Sequence, residues 1–385
     1  MNTFERLKIE GFRRLFSAEV EMRPLTVMIG ANGVGKSSFL EIFSLLAASA
    51  NGQLQSKISE LGGLTQMVTL DRPDSVSISL SMPIENQEPL NYSLKLATKG
   101  QLYEIGSETL SQQRDPNAFQ PFKYIESRGS DVKYFSPEDD GKLLRPNWQY
   151  NPLESSLAQV PKMYREPETL RQHLASCSFY KAWELNLSPQ SPIRLPQSMR
   201  PATLPGAKGE DLVSCLYYLR ETDPNRFAII QDTLAAAFPD FERLSFPPVA
   251  AGTLAMTWKD RNFSHPFYMH QLSEGTLRFL WLITLLQSRD LTAVTLIDEP
   301  EVSLHPELLQ LLADAMREAS QKTQLIVATH SDRLLGFLKP REVLVCNSED
   351  GLATLSWADS IDLEHWLKDY SLDQLWAMNI FGGRP

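Results

Sequence analysis

Residues 25 to 41, Leu25-Thr-Val-Met-Ile-Gly30-Ala-Asn-Gly-Val-Gly35-Lys36-Ser37-Ser38-Phe-Leu-Glu41, decide how the rest of the chain reads. An apolar strand, Leu25 to Ile29, runs into Gly30 to Ser37, which fits G-x-x-x-x-G-K-[ST], and a helix-forming run follows. The glycines let the backbone turn tightly with its N–H groups aimed inward at a triphosphate. The helix after them adds its positive end, about half an elementary charge. Lys36 is placed to reach the β and γ phosphates, and Ser37 to put its hydroxyl on Mg²⁺, a hard ion that prefers oxygen. The expected nucleotide-binding residues are therefore Gly30, Ala31, Asn32, Gly33, Val34, Gly35, Lys36, Ser37 and Ser38. An ordinary glycine-rich turn does not need Lys and Ser side by side after its last glycine.

Outward from this loop, the 385-residue chain is long enough for two to three domains, or for one domain with large insertions. The N-terminus alternates charges where a secretion signal needs an apolar run, and no apolar stretch approaches the roughly 18 residues of a membrane span. A cytoplasmic location without membrane insertion is the expectation. Cys177, Cys215 and Cys346 are far apart, so buried thiols are expected rather than a zinc site or a disulfide framework. A net charge of −10 argues against a broad basic surface for nucleic acid and leaves room for a local groove.

Before the loop, residues 4 to 10 and 18 to 22 alternate apolar and polar side chains and read as paired strands. After it, Ser38 to Ala50 forms a helix. Val76 to Met82, Tyr92 to Ala97 and Leu102 to Ile105 repeat the two-residue period of a small antiparallel sheet. From 106 to 265 the rhythm is lost. Of 25 prolines, 16 lie between 115 and 250, so this stretch reads as an inserted, largely helical lobe. Helical spacing recurs within it from Leu153 to Ala175 and from Asp211 to Phe238, with Pro224 opening a helix. Ser188 to Lys208 reads as a surface loop whose Arg194, Arg200 and Lys208 are solvated.

Three later blocks belong with the loop. In Gln271-Leu-Ser273-Glu274-Gly275-Thr276, Ser273 stands where a helix N-cap belongs, so the turn is either a second anion-binding end or an ordinary capped helix. The apolar strand Ala293 to Ile297 ends in Asp298-Glu299-Pro300-Glu301. There Asp298 suits the Mg²⁺ shell and Glu299, facing the other way, suits polarising the attacking water. Pro306 opens the next helix, and the neighbouring His305 reads as structural or as an interface residue. Gln324 to Thr329 is another buried strand, and His330 at its end is placed to sense a γ-phosphate or the attacking water.

Together, Gly30 to Ser37, Leu272 to Thr276, Leu296 to Glu299 and Thr329 to Ser331 resemble the ABC-type ATPase heads of the RecF, SMC and OLD-like group. The Ser-Glu-Gly-Thr-Leu-Arg and Asp-Glu-Pro-Glu-Val-Ser-Leu-His-Pro wording is most similar to the AAA-type ATPases near RecF and the OLD nucleases. The resemblance covers the start of the chain, residues 266 to 345 and the tail, with Leu375-Trp376 and Gly382-Gly383-Arg384-Pro385. It implies an α/β P-loop NTPase fold and an ATPase core split between 1–105 and 266–358, with 106–265 inserted and 359–385 as a helical tail. It implies ATP and Mg²⁺ as cofactors, and Glu299 and His330 as catalytic residues. It also implies an ATP-dependent homodimer, in which Ser273, Glu274 and Gly275 complete the site of the partner chain. Gln66 is the candidate for the glutamine that ABC ATPases place after an early strand, near the metal.

The departures narrow this reading. There is no long coiled coil and no zinc hook, and the 55 residues after His330 are too few for a Toprim nuclease. Any nuclease is then expected on a separate chain. Asp359, Asp362, Asp369 and Asp373 fit one face of an amphipathic helix better than a metal cluster. Control of a DNA-linked process, repair or anti-phage defence, is the expected function. The ATPase subunit of a membrane transporter is the alternative, weakened by Glu274 and Thr276 where Leu-Ser-Gly-Gly-Gln has other residues. A scaffold that scarcely hydrolyses ATP is the third, against which Glu299 argues.

Overall fold

In a computed structural model, residues 3–100, 102–115, 117–129, 131–135, 143–162, 165–363 and 365–382 are described. The alternating start forms the hairpin β1 (Arg6–Phe12) and β2 (Leu15–Glu21), with Leu7 opposite Val20 and Ile9 opposite Ala18. Next comes β3 (Leu25–Gly30), then α1 (Lys36–Ala50) and α2 (Leu54–Glu60). The expected antiparallel strands follow as β4 (Ser75–Ile84), β5 (Gln87–Lys99) and β6 (Leu102–Gln112). β7 (Phe122–Arg128), β8 (Asp131–Phe135) and β9 (Leu143–Leu144) extend them into an eight-stranded sheet, ordered β2-β1-β4-β5-β6-β7-β8-β9. The division expected after residue 105 therefore falls inside a strand. Tyr124 and Ile125 are buried in a run that also carries Lys, Glu and Arg, so its two-residue period is hidden in the sequence.

The remainder of the inserted stretch is mixed. Helices α3 (Ser156–Gln159) and α4 (Arg165–Ala175) lead to β10 (Cys177–Lys181). After β11 (Gln197–Ser198) come α5 (Leu212–Thr222) and α6 (Pro224–Ala237), the latter opened by Pro224 and capped by Asp223. β12 (Phe241–Ser245), β13 (Pro248–Ala250), β14 (Thr253–Leu254), β15 (Thr257–Asp260) and β16 (Phe267–Tyr268) complete two three-stranded sheets, β11-β14-β13 and β12-β15-β16. Ser188 to Lys208 is not a surface loop throughout, because Ser191, Ile193, Arg194 and Gln197 are buried in it. The Gln197 side chain donates to Pro192 O and Gly209 O and accepts from Val213 N, which satisfies a buried backbone.

The last third returns to the strand-and-helix alternation: α7 (Glu274–Gln287), β17 (Val294–Asp298), α8 (Leu308–Ala319), β18 (Gln324–Thr329), α9 (Asp332–Leu335), β19 (Val343–Glu349), β20 (Leu352–Trp357) and α10 (Leu372–Ala377). Its strands join β3 and β10 in a six-stranded sheet, β10-β17-β18-β3-β19-β20. Every pair in it is parallel except β19 with β20. Each residue of β3, β17 and β18 is buried, as strands covered on both faces must be. On one side Val27 and Ile29 join a core with α5 to α8. On the other, Met28 meets α1 and the antiparallel sheet. The chain is an α/β protein with its phosphate-loop strand in mid-sheet.

Beyond β20 the described residues are helical only in short pieces, Ala358–Ser360, Trp366–Lys368 and α10, so the expected aspartate-bearing helix face is not formed as one helix among them. Asp359 is drawn instead to Arg23, at 2.8 Å, whose guanidinium lies over the Trp357 ring. Gly383, Arg384 and Pro385 lie outside the described residues. Cys215 and Cys346 are buried and Cys177 half-buried, and burial pushes all three thiols up to about 12. Among the described residues no helix is long and apolar enough to cross a membrane.

Candidate active site

The loop after β3 is shaped by two glycine requirements. A Cβ on Gly30 would sit 2.4 Å from Cys346 O on β19, and Gly35 holds a φ of 116° that L side chains rarely adopt. α1 then starts with no side-chain cap and no acidic residue in its first turn, leaving the N–H groups of its positive end to other partners. Lys36 folds back over the loop and donates to Gly30 O at 2.6 Å and Ala31 O at 2.9 Å. Burial pulls its ammonium below the ordinary lysine range.

Opposite the loop stand the ends of β17 and β18, paired in register with Asp298 beside Ala328. Ser37 Oγ donates to Asp298 Oδ2 at 3.2 Å, so two of the three residues expected near Mg²⁺ meet, and Gln66 is not among their contacts. Burial, reinforced by the Glu299 charge, pushes the Asp298 carboxyl up, while Ser37, Trp183 and Lys181 oppose the rise. A buried carboxylate next to a hydroxyl, short of compensating positive charge, fits a hard divalent ion. Among the described residues no group of three or more His, Cys, Asp or Glu side chains forms a metal cage.

Glu299 leaves the strand with φ 53°, its N–H on Ala328 O at 2.8 Å. Its Oε1 lies 3.5 Å from His330 Nε2, and His330 Nδ1 lies 3.3 Å from Lys36 Nζ. Because the Lys36 ammonium can only donate, Nδ1 is the acceptor and the ring proton belongs on Nε2, facing Glu299. Burial and the Lys36 charge lower the His330 pKa, which keeps this neutral ring in place. The three side chains thus link the loop, the carboxylate strand and the histidine strand.

The capped helix forms as expected, with Ser273 Oγ accepting from Thr276 N at 3.1 Å and Ser273 and Glu274 exposed. Its support comes from Arg194, which is buried rather than solvated. Arg194 donates to Leu187 O, Met269 O, His270 O and Leu272 O, at 2.7 to 3.3 Å. Gly275 packs so closely on the turn after β17 that a Cβ there would be 2.8 Å from Ser303 O. His305 is exposed, 3.6 Å from the Glu307 carboxylate.

Two contributors were not read from the sequence. β10, from the middle of the insertion, lies parallel beside β17 with Lys181 opposite Asp298, which brings Lys181 and the half-exposed Trp183 to the carboxylate cluster. Arg13, in the β1–β2 turn, pairs with Glu41 at 2.6 Å and reaches Ser38 Oγ at 3.5 Å. Gln66 is exposed on the one-turn helix Leu64–Gln66. It lines a cavity of about 400 Å³ with Arg13, Arg14 and Asp350.

Residues 25–336 match a family model described as "AAA domain, putative AbiEii toxin, Type IV TA system". No curated protein sequence matches the chain. Among solved structures, an Smc head bound to the C-winged helix domain of ScpA is similar over 92% of this chain and 97% of that one, with a TM-score of 0.57 and 13% identity. A second Smc head, from Pyrococcus furiosus, carries an extended coiled coil and is bound to the C-terminal domain of ScpA. It is similar over 96% of this chain and 98% of that one, with a TM-score of 0.54 and 11% identity. The likeness is one of fold, that of the ABC-type head.

Proposed function

The chain belongs to the AAA-domain family that matches it from 25 to 336, and on that premise we propose that it binds and hydrolyses ATP at the Gly30–Ser38 loop and closes on the nucleotide as a homodimer. The observation that carries this reading is the Lys36–His330–Glu299 chain of contacts across the loop. Lys36 and the α1 N-terminus take the phosphates. Ser37 and Asp298 would hold Mg²⁺, which would supply charge neutralisation to the phosphates. Glu299 accepts a proton from the attacking water, and His330 orients the γ-phosphate end. The turn of exposed Ser273 and Glu274 and half-buried Gly275 is offered to the nucleotide site of a second copy, with the Ser273 hydroxyl facing its phosphates.

The setting we infer is control of a DNA-linked process through a separate effector such as a nuclease. The toxin named in the family description favours defence over repair. The two similar Smc heads are each bound to part of ScpA, which supports a protein partner here as well.

Lys36→Ala is expected to abolish ATP binding in calorimetry, and full retained hydrolysis would overturn the site. Glu299→Gln is expected to bind ATP and accumulate a dimer by light scattering, and a monomer at saturating ATP would overturn the closure. Mixing Lys36→Ala with Ser273→Arg chains should restore up to one working site per heterodimer. No recovery at any ratio removes the action in trans.

A further inference from the structure

Glu301 has no part in the roles above, yet its carboxyl is built into the same cluster. The chain leaves β17 through two residues in the left-handed region, Glu299 (φ 53°) and Ser303 (φ 61°). The turn closes through Val302 N to Glu299 O at 3.3 Å and Leu304 N to Glu301 O at 3.0 Å. This folds the Glu301 side chain back over the end of β18, where Oε1 accepts the backbone N–H of His330 at 2.9 Å. β18 ends at Thr329, so that N–H lies one residue past the strand. Glu301 Oε2 is enclosed, with no partner at hydrogen-bond geometry among the described residues, and the Thr329 side chain helps hold the carboxyl.

We infer that Glu301 is the positioning residue of His330, its carboxyl holding the histidine backbone so that the imidazole stays between Lys36 and Glu299. The inference rests on the nucleotide-site reading. Distances decide between anchors. The two ring contacts, 3.3 and 3.5 Å, are longer than ordinary hydrogen bonds and hold the ring weakly, whereas the backbone bond is of full strength. The ring therefore sits where its main chain is held. A shift of about 1 Å in such a group can cost about a hundredfold in rate.

The test is ATP turnover and nucleotide affinity in the full chain. Glu301→Leu, similar in bulk and without an acceptor, is expected to lower kcat about tenfold or more while the Kd for ATP moves less than about threefold. Glu301→Gln, which keeps an acceptor for the N–H, restores kcat to within about threefold of the unmodified chain. On a His330→Ala background Glu301→Leu costs less than about twofold further, since the group it positions is gone. Glu301→Leu with unchanged kcat overturns the role, as does an undiminished loss on the His330→Ala background. If Glu301→Leu fails to fold, Glu301→Ser, polar but too short to reach His330, is judged by the same criteria. Equal hydrolysis by unmodified and Lys36→Ala chains would instead sink the nucleotide-site reading. A dead Lys36→Ala chain beside a fully active Glu301→Leu chain would sink only the role of Glu301.

Discussion

Glu108 is wholly buried, and its carboxylate accepts from Tyr92 Oη, Ser155 Oγ, Ser156 N and Leu157 N, at 2.6 to 3.0 Å. It binds β6 to the start of α3. Glu108→Gln turns one acceptor into a donor facing another donor, so denaturant unfolding should show a loss of about 2–3 kcal/mol. Protonation gives a second check at this scale. Burial lowers the pKa of His173, whose ring stands edge-on to Phe4, and burial with Lys36 lowers that of His330. Below about pH 6.5 the unfolded rings take up protons that the folded rings resist, so stability falls as pH falls through that window. The raised carboxyls of Asp298 and Glu301 have the opposite sign, favouring the folded state as acid protonates them. His173→Phe should therefore flatten, without abolishing, the fall in urea midpoint between about pH 7 and 5.5. Lys36, Ser37, Asp298 and Glu299 were legible because their spacing is local. Arg194 was misread because three of the four carbonyls it binds lie 75 to 78 residues along the chain.

At the scale of elements, the segment leading into α7 is held by a side chain from outside the ATPase motifs. Arg194→Leu removes the guanidinium donor from the carbonyls of Leu187, Met269, His270 and Leu272, of which Met269 O keeps the Leu272 N–H. The expected loss is about 2–4 kcal/mol in denaturant unfolding, with ATP turnover reduced through a displaced Ser273. β3, β17 and β18 were legible as unbroken apolar runs, since burial on both faces removes the polar alternation. β10 was not. It is an edge strand with one fully buried residue in five, Tyr180, and its partner starts at Val294, more than a hundred residues away. No local pattern announces such a pairing, and Trp183 was missed with it.

For the whole molecule, a ligand that binds only the folded chain stabilises it by mass action, about 2.7 kcal/mol at a hundredfold excess over Kd. ATP with Mg²⁺ should raise Tm by a few degrees in a thermal melt, and Lys36→Ala should remove the rise. The α/β class came with the resemblance carried by the four motif blocks, and the strands that fit it show as unbroken apolar runs in the parallel sheet and as alternation in β1, β2 and β4 to β6. The eight-stranded extent of the antiparallel sheet does not show, because prolines fall between its later strands and charged residues lie within them.

The position of β3 in mid-sheet has a consequence for how the protein is made. Its two neighbours, β18 and β19, begin at Gln324 and Val343, so the phosphate-loop strand emerges from the ribosome roughly 300 residues before either flank. At about 5–20 residues per second, that apolar strand waits about 15–60 seconds unpaired. The nascent chain cannot assemble the ATP site during elongation. Growing ATPase chains should gain nucleotide protection against protease only once β19 has cleared the exit tunnel, and chains stalled earlier are the natural clients of holding chaperones.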